Sequence, residues 1–588
     1  MVTAEQVSAA VGGWTVPRLL RRNATLHGDL PALTGAGGRT WTWRELGEEV
    51  LAVAGGLSEL GLRRGDRMLI DMSSRPEHWV VDFAAVELGA IPCTTYATLS
   101  AEQIRQVALH SGATVVVLEG PAQLARWAPT LAEMPALRGV VVLDGAGEGH
   151  ARYADLVSAG HDAPLTEAGQ DDPVAMIYTS GTTGDPKGVV LSHRNVLYQC
   201  AFTSLAQPTP SHPRTVAYLP LAHIAERVLG MYLPVYTAGH VTICPDAGQL
   251  AATLIAVRPH GFFGVPRVWE KFAAAARQAL SGVDGERRVA VDHARELAAR
   301  AYRIRAGGDP LPDDLAVALE RADQAVLRPL RERFGLAEAT RLGSGAAPIP
   351  VEVLEFFGSL GMSIMEVWGL SETTGTATSS FPDRYRPGTV GLPVPGMAVR
   401  LAADGEIEVR GPLVFLGYLR ADGRIEPAVD KDGWLPTGDI GTFDDGLLRI
   451  TDRKKELIIT ASGKNIAPSR VESLLRAHPL IGYAVVVGDR RPYLTALLVL
   501  DEEAAPAYGL STVEELAAEP RVREELAAAV QQANEVLSRP EQVKKYRVLD
   551  DTWGPESGEL TPTLKLRRRV IEQRYADVIN ELYSGEAP

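Results

Sequence analysis

The chain comprises 588 residues, 46% of them apolar and 22% charged, with a formal net charge of −14. That length exceeds what one core supports and points to about three to four domains or subdomains. The acidic balance argues against general nucleic-acid binding, so a basic site for any phosphate must be local.

Three cysteines, Cys93, Cys200 and Cys244, include no C-x-x-C pair and no nearby histidine cluster, which argues against a disulfide framework or a structural zinc. The start of the chain, MVTAEQVSAAVGGWTV, lacks a basic region and a long apolar segment, and no uninterrupted apolar stretch of about 18 residues occurs anywhere. Neither a signal peptide nor a transmembrane helix is expected. The expected location is the cytoplasm, with peripheral membrane contact left open for a lipid-like substrate.

The first part of the chain alternates two kinds of segment. In 42–61, 76–90 and 100–112 apolar residues recur every three or four positions, whereas in 67–73 and 114–120 they run together. This pattern predicts helices covering a largely parallel sheet. Open sheets of that kind place ligands at the carboxyl ends of their strands, so the loop following Met176-Ile177-Tyr178 is where a ligand is expected.

That loop, YTSGTTGDPKGV from Tyr178 to Val189, holds five hydroxyl side chains, three glycines and one lysine. Gly181, Gly184 and Gly188 allow backbone N–H groups to turn around an anion, Thr179, Ser180, Thr182 and Thr183 add donors, and Lys187 adds charge. The spacing Gly181-x-x-Gly184-x-x-Lys187-Gly188 is not the P-loop G-x-x-x-x-G-K-[ST], and G-x-G-x-x-G is absent. The composition points to a bound polyphosphate.

Further on, 281–340 is charged, alanine-rich and mostly helical, and reads as a solvated excursion in preference to a partner-binding arm. From Gly388 to Asp452 short strand-like pieces punctuated by Gly and Pro predict a small distorted barrel. Beyond Asp452 a helix near Ser469 to Ala477 and the strands YAVVVGD and TALLVLD predict a separate α/β unit.

The loop and the strings that follow it in order, YLPLAHIAER, FFGVPRVWEKF, SGAAP, WGLSETT, TGDI, DRKKELIITASGKNIAP and GELTPTLK, resemble the adenylate-forming superfamily and look most like its bacterial long-chain fatty acyl-CoA synthetases. The resemblance implies an α/β fold: a large N-terminal domain, 1–451, of two α/β subdomains plus a distorted β-barrel, followed by a small mobile C-terminal α/β domain, 452–588.

It also implies roles for individual residues. Thr179, Ser180, Gly181, Thr182, Thr183, Gly184 and Lys187 would bind ATP phosphates, and Thr183 with Glu372 would hold Mg²⁺, which prefers oxygen ligands. Gly345, Ala346 and Ala347 would lie against the adenine, and Gly345, His223, Gly264 and Val265 would line the acyl pocket. Trp368, Gly369, Ser371 and Thr373 form the next ATP station, where an indole face suits a stacked base. Asp439 would accept both ribose hydroxyls, and Arg453 would contact ribose or phosphate. Asp452 would be the hinge, and Gly463 with Lys464 would line the channel for coenzyme A. Lys565, beside Arg567, Arg568 and Arg569, would be the catalytic lysine, with Glu372, Thr183 and His223 as further catalytic residues.

The reaction implied is attack of a carboxylate on the α-phosphate of ATP, giving an acyl-adenylate and pyrophosphate, followed by attack of the CoA thiol with loss of AMP. Two anions about 4 Å apart repel by roughly 4 kcal/mol at an effective dielectric near 20, so cations must offset that before the first step. ATP, Mg²⁺ and coenzyme A are the expected cofactors, and a small carboxylic acid is the expected partner. An acyl carrier protein in place of free CoA is the alternative acceptor, a terpenoid or polycyclic acid an alternative substrate, and a non-catalytic nucleotide-binding scaffold the reading from another class.

Overall fold

The computed structural model describes residues 2–145, 149–159, 164–179, 187–382, 384–554, 556–561 and 565–584. Its N-terminal part is built on a five-stranded parallel sheet in the spatial order Ile91–Thr94, Arg67–Asp71, Val115–Leu118, Gly139–Val142 and Ala151–Arg152. A parallel sheet covered on both faces requires strands that are apolar throughout, and Val115-Val116-Val117-Leu118 is buried at every position. The helices Trp43–Glu59 and Ala101–Ser111 start at capping boxes, Thr42 with Glu45 and Ser100 with Gln103, which satisfy N–H groups that the helix leaves unpaired.

The parallel pattern does not extend to the glycine loop. Strands β1 (Pro173–Thr179) and β2 (Lys187–Ser192), which flank it, pair antiparallel with Thr179 opposite Lys187. β2 pairs in turn with β3 (Gly417–Leu419), and β3 with Ile425–Glu426, again antiparallel. β1 and β2 thus form a hairpin outside the parallel sheet, which corrects the expectation that the run ending at Tyr178 is a strand of that sheet. The runs Val174–Ile177 and Val189–Leu191 are both fully buried, and a short buried run carries no periodicity from which strand direction can be read.

A second sheet joins Gly261–Gly264, Arg341–Ser344 and Met365–Trp368 in parallel, then Thr378–Ser379 and Leu392–Pro393 antiparallel. Between its first two strands lie helix α1 (Pro266–Ser281), with proline in its first turn, and the expected helical excursion of Gly285–Ala306 and Asp313–Ala322. A four-stranded antiparallel sheet of Ala398–Leu401, Glu406–Arg410, Leu435–Asp444 and Leu447–Arg453 forms the barrel part. Its last hairpin turns at Asp445 and Gly446, whose positive φ of 52° and 78° match the Asp-Gly pair that a tight hairpin turn demands.

From Ile458 onward the chain buries a core of its own around Val471, Leu475, Leu498 and Leu526, with a second cluster around Val485, Leu497 and Ile571. The elements are helix α2 (Pro468–Arg476) and a sheet of Ile481–Val487, Leu494–Leu500 and Val543–Leu549. The architecture is therefore a large N-terminal α/β unit with a barrel sheet, and a smaller C-terminal α/β unit. Among the described residues no helix is long and apolar enough to cross a membrane.

One buried polar contact fixes the position of a site segment. The Arg227 guanidinium pairs with the Asp82 carboxylate at 2.5 Å, both side chains fully buried, and also donates to Tyr232 Oη at 3.0 Å and Thr94 Oγ1 at 3.2 Å. This ties the stretch carrying His223 to the helix Pro76–Glu87 behind the parallel sheet.

Candidate active site

One end of the site is the mouth of the β1–β2 hairpin. Thr179 and Lys187 stand opposite each other at its rim, whereas Ser180, Gly181, Thr182, Thr183 and Gly184 lie outside the described residues. The Lys187 ammonium sits over the ring of Tyr418, 5.0 Å from its centre, and the Tyr418 hydroxyl donates to Glu372 Oε1 at 2.7 Å. Tyr418 reaches both because β3 pairs with β2, placing it opposite Val189. Burial and the Glu372 charge push its phenol well above the ordinary range, so it remains a donor. Sequence reasoning missed Tyr418, since an aromatic residue in a short strand is ordinarily core.

Glu372 lies in the tight turn Ser371–Thr373 that follows the strand Met365–Trp368. Thr373 is fully buried, and its hydroxyl accepts the Leu370 N–H at 2.8 Å and donates to the Leu370 carbonyl at 3.2 Å, so it holds the turn. Gly369 is required by close backbone approach: a Cβ there would stand 2.6 Å from the Gly375 carbonyl oxygen and 2.9 Å from Ala377 N. Ser371 is half-buried beside them.

The opposite end centres on Asp439, which is buried in the barrel strand Leu435–Asp444. Trp368 Nε1 donates to its Oδ2 at 2.8 Å. Arg453, directly across the barrel hairpin, brings Nε to 3.1 Å from Oδ1, yet Oδ1 takes no hydrogen bond. Oδ1 is thus a buried carboxylate oxygen that keeps a lone pair without a hydrogen-bond donor. Burial raises the Asp439 pKa, while Arg453, the Trp368 N–H and Lys565 act against that rise. Trp368 thus orients Asp439 with its indole N–H, whatever its face contacts.

Gly345, Ala346 and Ala347 follow the strand Arg341–Ser344. A Cβ on Gly345 would lie 2.9 Å from the Val367 carbonyl oxygen, so neighbouring backbone alone requires glycine there. Ala346 has φ of +71°, a left-handed conformation that costs a β-carbon-bearing residue about 1–2 kcal/mol, and Ala347 is exposed. Gly264 closes the strand Gly261–Gly264 directly under Trp269, whose Nε1 a Cβ would approach to 2.7 Å. The next residue, Val265, donates its N–H to Tyr218 Oη at 3.4 Å.

Lys565 enters this cleft from the C-terminal unit. Its backbone pairs with Thr561, whose N–H donates to the Lys565 carbonyl at 2.8 Å and whose Oγ1 accepts the Lys565 N–H at 3.0 Å. Burial within the cleft and the Arg453 charge lower its ammonium pKa to about 8, against the pull of Asp439 and Glu456. His223 caps a short helix by accepting the Ala225 N–H, and burial together with Lys565 lowers its pKa to about 3, so its imidazole is neutral. Glu456, which sequence reasoning also missed, takes Arg568 Nε at 3.2 Å and lies within electrostatic reach of Lys565.

Asp452 sits at the end of the barrel and binds across to the C-terminal unit. Its Oδ2 accepts the Ser469 N–H at 3.0 Å, near the start of α2, and its Oδ1 accepts Ser469 Oγ at 3.0 Å and the Arg453 N–H at 2.7 Å. Gly463 and Lys464 form an exposed turn closed by Thr460, with Gly463 at φ +74° and open space where a Cβ would be.

Residues 20–419 match the family described as AMP-binding enzyme, and residues 455–587 match the AMP-binding enzyme C-terminal domain. The chain belongs to the AMP-binding enzyme family. Long-chain-fatty-acid–CoA ligase FadD15 of Mycobacterium tuberculosis is 37% identical over 93% of this chain and 92% of its own length. Long-chain-fatty-acid–CoA ligase ACSBG2 of Gallus gallus is 31% identical over 97% of this chain and 81% of its own length. Among solved structures, the adenylation domain of a carboxylate reductase from Mycobacterium chelonae superposes with a TM-score of 0.76 at 21% identity, covering 99% of this chain and 94% of that one, which shows a shared fold.

Membership of the AMP-binding enzymes implies adenylation of an acid followed by thioester formation with CoA. The cleft has the parts such chemistry needs. It offers a cation and a carboxylate linked through Tyr418 at the hairpin mouth, a buried carboxylate at Asp439, and the Lys565 ammonium within electrostatic reach of Asp439. Glu372 fits a hard cation: it is a carboxylate beside the hairpin mouth, oriented through Oε1 by Tyr418.

Proposed function

We propose that this AMP-binding enzyme is an acid–CoA ligase for a long-chain fatty acid or a similarly bulky hydrophobic acid. The observation that carries the reading is the convergence in one cleft of Lys565, from the C-terminal unit, with Asp439 and His223 from the N-terminal unit. Identity to long-chain-fatty-acid–CoA ligases along nearly the whole chain supports the substrate class.

In the first half-reaction Lys565 neutralises the incoming carboxylate and the α-phosphate, Asp439 accepts the ribose hydroxyls, and Lys187 with the hairpin loop grips the departing pyrophosphate. Glu372, with Thr183, would hold Mg²⁺, which supplies charge neutralisation on the phosphates when bound. Catalysis is then largely positioning and charge stabilisation. Gly264, Val265 and His223 bound the acyl end, and the neutral His223 imidazole adds no charge to repel or trap the carboxylate.

For the second half-reaction we assign domain 1–451 as the fixed part and 452–588 as the part that turns about Asp452. Rotation withdraws Lys565 and brings the Gly463–Lys464 turn to line the pantetheine channel. Gly463→Leu is accordingly expected to slow thioester formation about a hundredfold while leaving acid-dependent ATP–pyrophosphate exchange within about twofold, since the added side chain narrows the channel and the strain of its positive φ stays within the exposed turn. Single-turnover transfer from supplied acyl-adenylate measures the first quantity, and an unimpaired transfer rate would contradict the channel role. The assay that tests the whole reading offers a panel of acids with CoA or a phosphopantetheinylated carrier protein as acceptor. Long-chain acids with CoA are expected to turn over fastest, and absence of acid-dependent exchange with every acid would refute it.

A further inference from the structure

The faces of the two units that meet beside the cleft carry six charged side chains in alternating order. Arg267 Nη2 of α1 pairs with Asp501 at 2.5 Å, and Arg267 Nη1 lies 3.4 Å from Glu270 one turn along the same helix. Glu270 receives Arg476 Nη2 of α2 on both oxygens, at 3.1 and 2.9 Å. Lys271 pairs with Glu503 at the outer edge.

The central four are not surface pairs. The side chains of Arg267, Glu270, Asp501 and Arg476 are 20%, 13%, 19% and 23% exposed, so solvent screens them far less than a free surface would. Each of these side-chain pairs across the units joins opposite charges, and Arg267 and Glu270, which also pair with each other, each take a partner from the C-terminal unit. α1 begins immediately after Gly264 and Val265, and α2 begins at the residues that Asp452 holds, so the cluster joins the wall of the acyl pocket to the root of the C-terminal unit.

We propose that Arg267, Glu270 and Lys271, with Arg476, Asp501 and Glu503, form an electrostatic latch that positions Lys565 for adenylation and must open before thioester formation. They are positioning residues, since none touches the reacting groups. The assignment rests on the two-step function proposed above, because only a reaction that needs Lys565 in and then out gives a releasable contact something to do. Charge pairs suit this: they are specific in register, half-buried when closed, and recover hydration when the units part.

The test uses the full chain. All native cysteines are buried, so Val289→Cys and Val536→Cys, at exposed positions in the two units, accept a donor–acceptor dye pair for energy transfer. Arg267→Met is expected to broaden the inter-dye distance distribution, as is high salt on the unmodified protein, with no further change when both are combined. The same variant, and the milder Asp501→Asn, should lower acid-dependent pyrophosphate exchange about tenfold and leave transfer from supplied acyl-adenylate equal or faster. The charge-swapped pair Arg267→Asp with Asp501→Arg should regain most of the exchange that Arg267→Asp alone loses. An unchanged distance distribution, or equal loss in both half-reactions without recovery in the swapped pair, overturns the latch. If the unmodified chain shows no exchange, the proposed function fails, and the dye distances still decide whether the charges set the orientation.

Discussion

Replacing Lys565 by alanine is expected to lower acid-dependent ATP–pyrophosphate exchange on the order of a thousandfold and to leave transfer from a supplied acyl-adenylate to CoA within about threefold. The asymmetry follows from where charge develops. In the first step two anions close on each other, and roughly 4 kcal/mol of repulsion at an effective dielectric near 20 must be offset at the point of attack. In the second step a neutral thiol or its thiolate meets an acyl carbonyl already activated by AMP, and the rotation proposed above withdraws the ammonium from the cleft.

The pH dependence follows with its sign. Cleft burial and Arg453 lower the Lys565 pKa to about 8, so the protonated, competent form is complete below that value and is lost as pH rises through it. Exchange should therefore decline on an alkaline limb near pH 8. Lys565→Arg keeps its charge far above that range, so whatever activity it retains should lose this limb. Equal loss of both half-reactions in the alanine variant, or a persistent limb in the arginine variant, would contradict the role.

The second large effect concerns stability. Asp82→Ala is expected to cost about 3–5 kcal/mol, because it strands the Arg227 guanidinium, fully buried, without its counter-charge. Arg227 already has one buried N–H, Nε, without a hydrogen-bond partner, so the carboxylate supplies most of its compensation. Replacing both partners, Asp82→Leu with Arg227→Met, should recover most of the loss, since paired apolar groups leave no orphaned charge. Urea denaturation, following the transition of the N-terminal unit, measures both. Comparable destabilisation of the single and double variants would mean that shape and not charge governs this position.

Much of the site was readable from residue type and spacing. A loop of glycines and hydroxyls between two apolar runs reads as a candidate phosphate loop whatever the strand direction, and Lys565 stands out through the string Leu560 to Lys565. The helical excursion and the first parallel sheet followed from periods near four and from unbroken apolar runs. What the sequence did not reveal was pairing. Two buried runs look the same whether they meet as a hairpin or through a crossover, so the antiparallel pairing of β1 with β2 is not legible in them. Tyr418 and Glu456 gain meaning only from neighbours brought close by the fold, and the charges of α1 find their partners more than 200 residues away. Asp439 was recognised as an acceptor, but Trp368 as the group that aims it required coordinates.

The pairing of β2 with β3 has a consequence for how the protein is made. β2 is complete at Ser192, while its partner is complete only at Leu419, the residue at which the match to the AMP-binding enzyme family also ends. During synthesis from the N-terminus, one edge of the β1–β2 hairpin stays unpaired until some two hundred further residues have emerged. Nascent chains stopped before Gly417 should therefore present an apolar, hydrogen-bond-hungry edge and aggregate, whereas those reaching past Glu426 can close it.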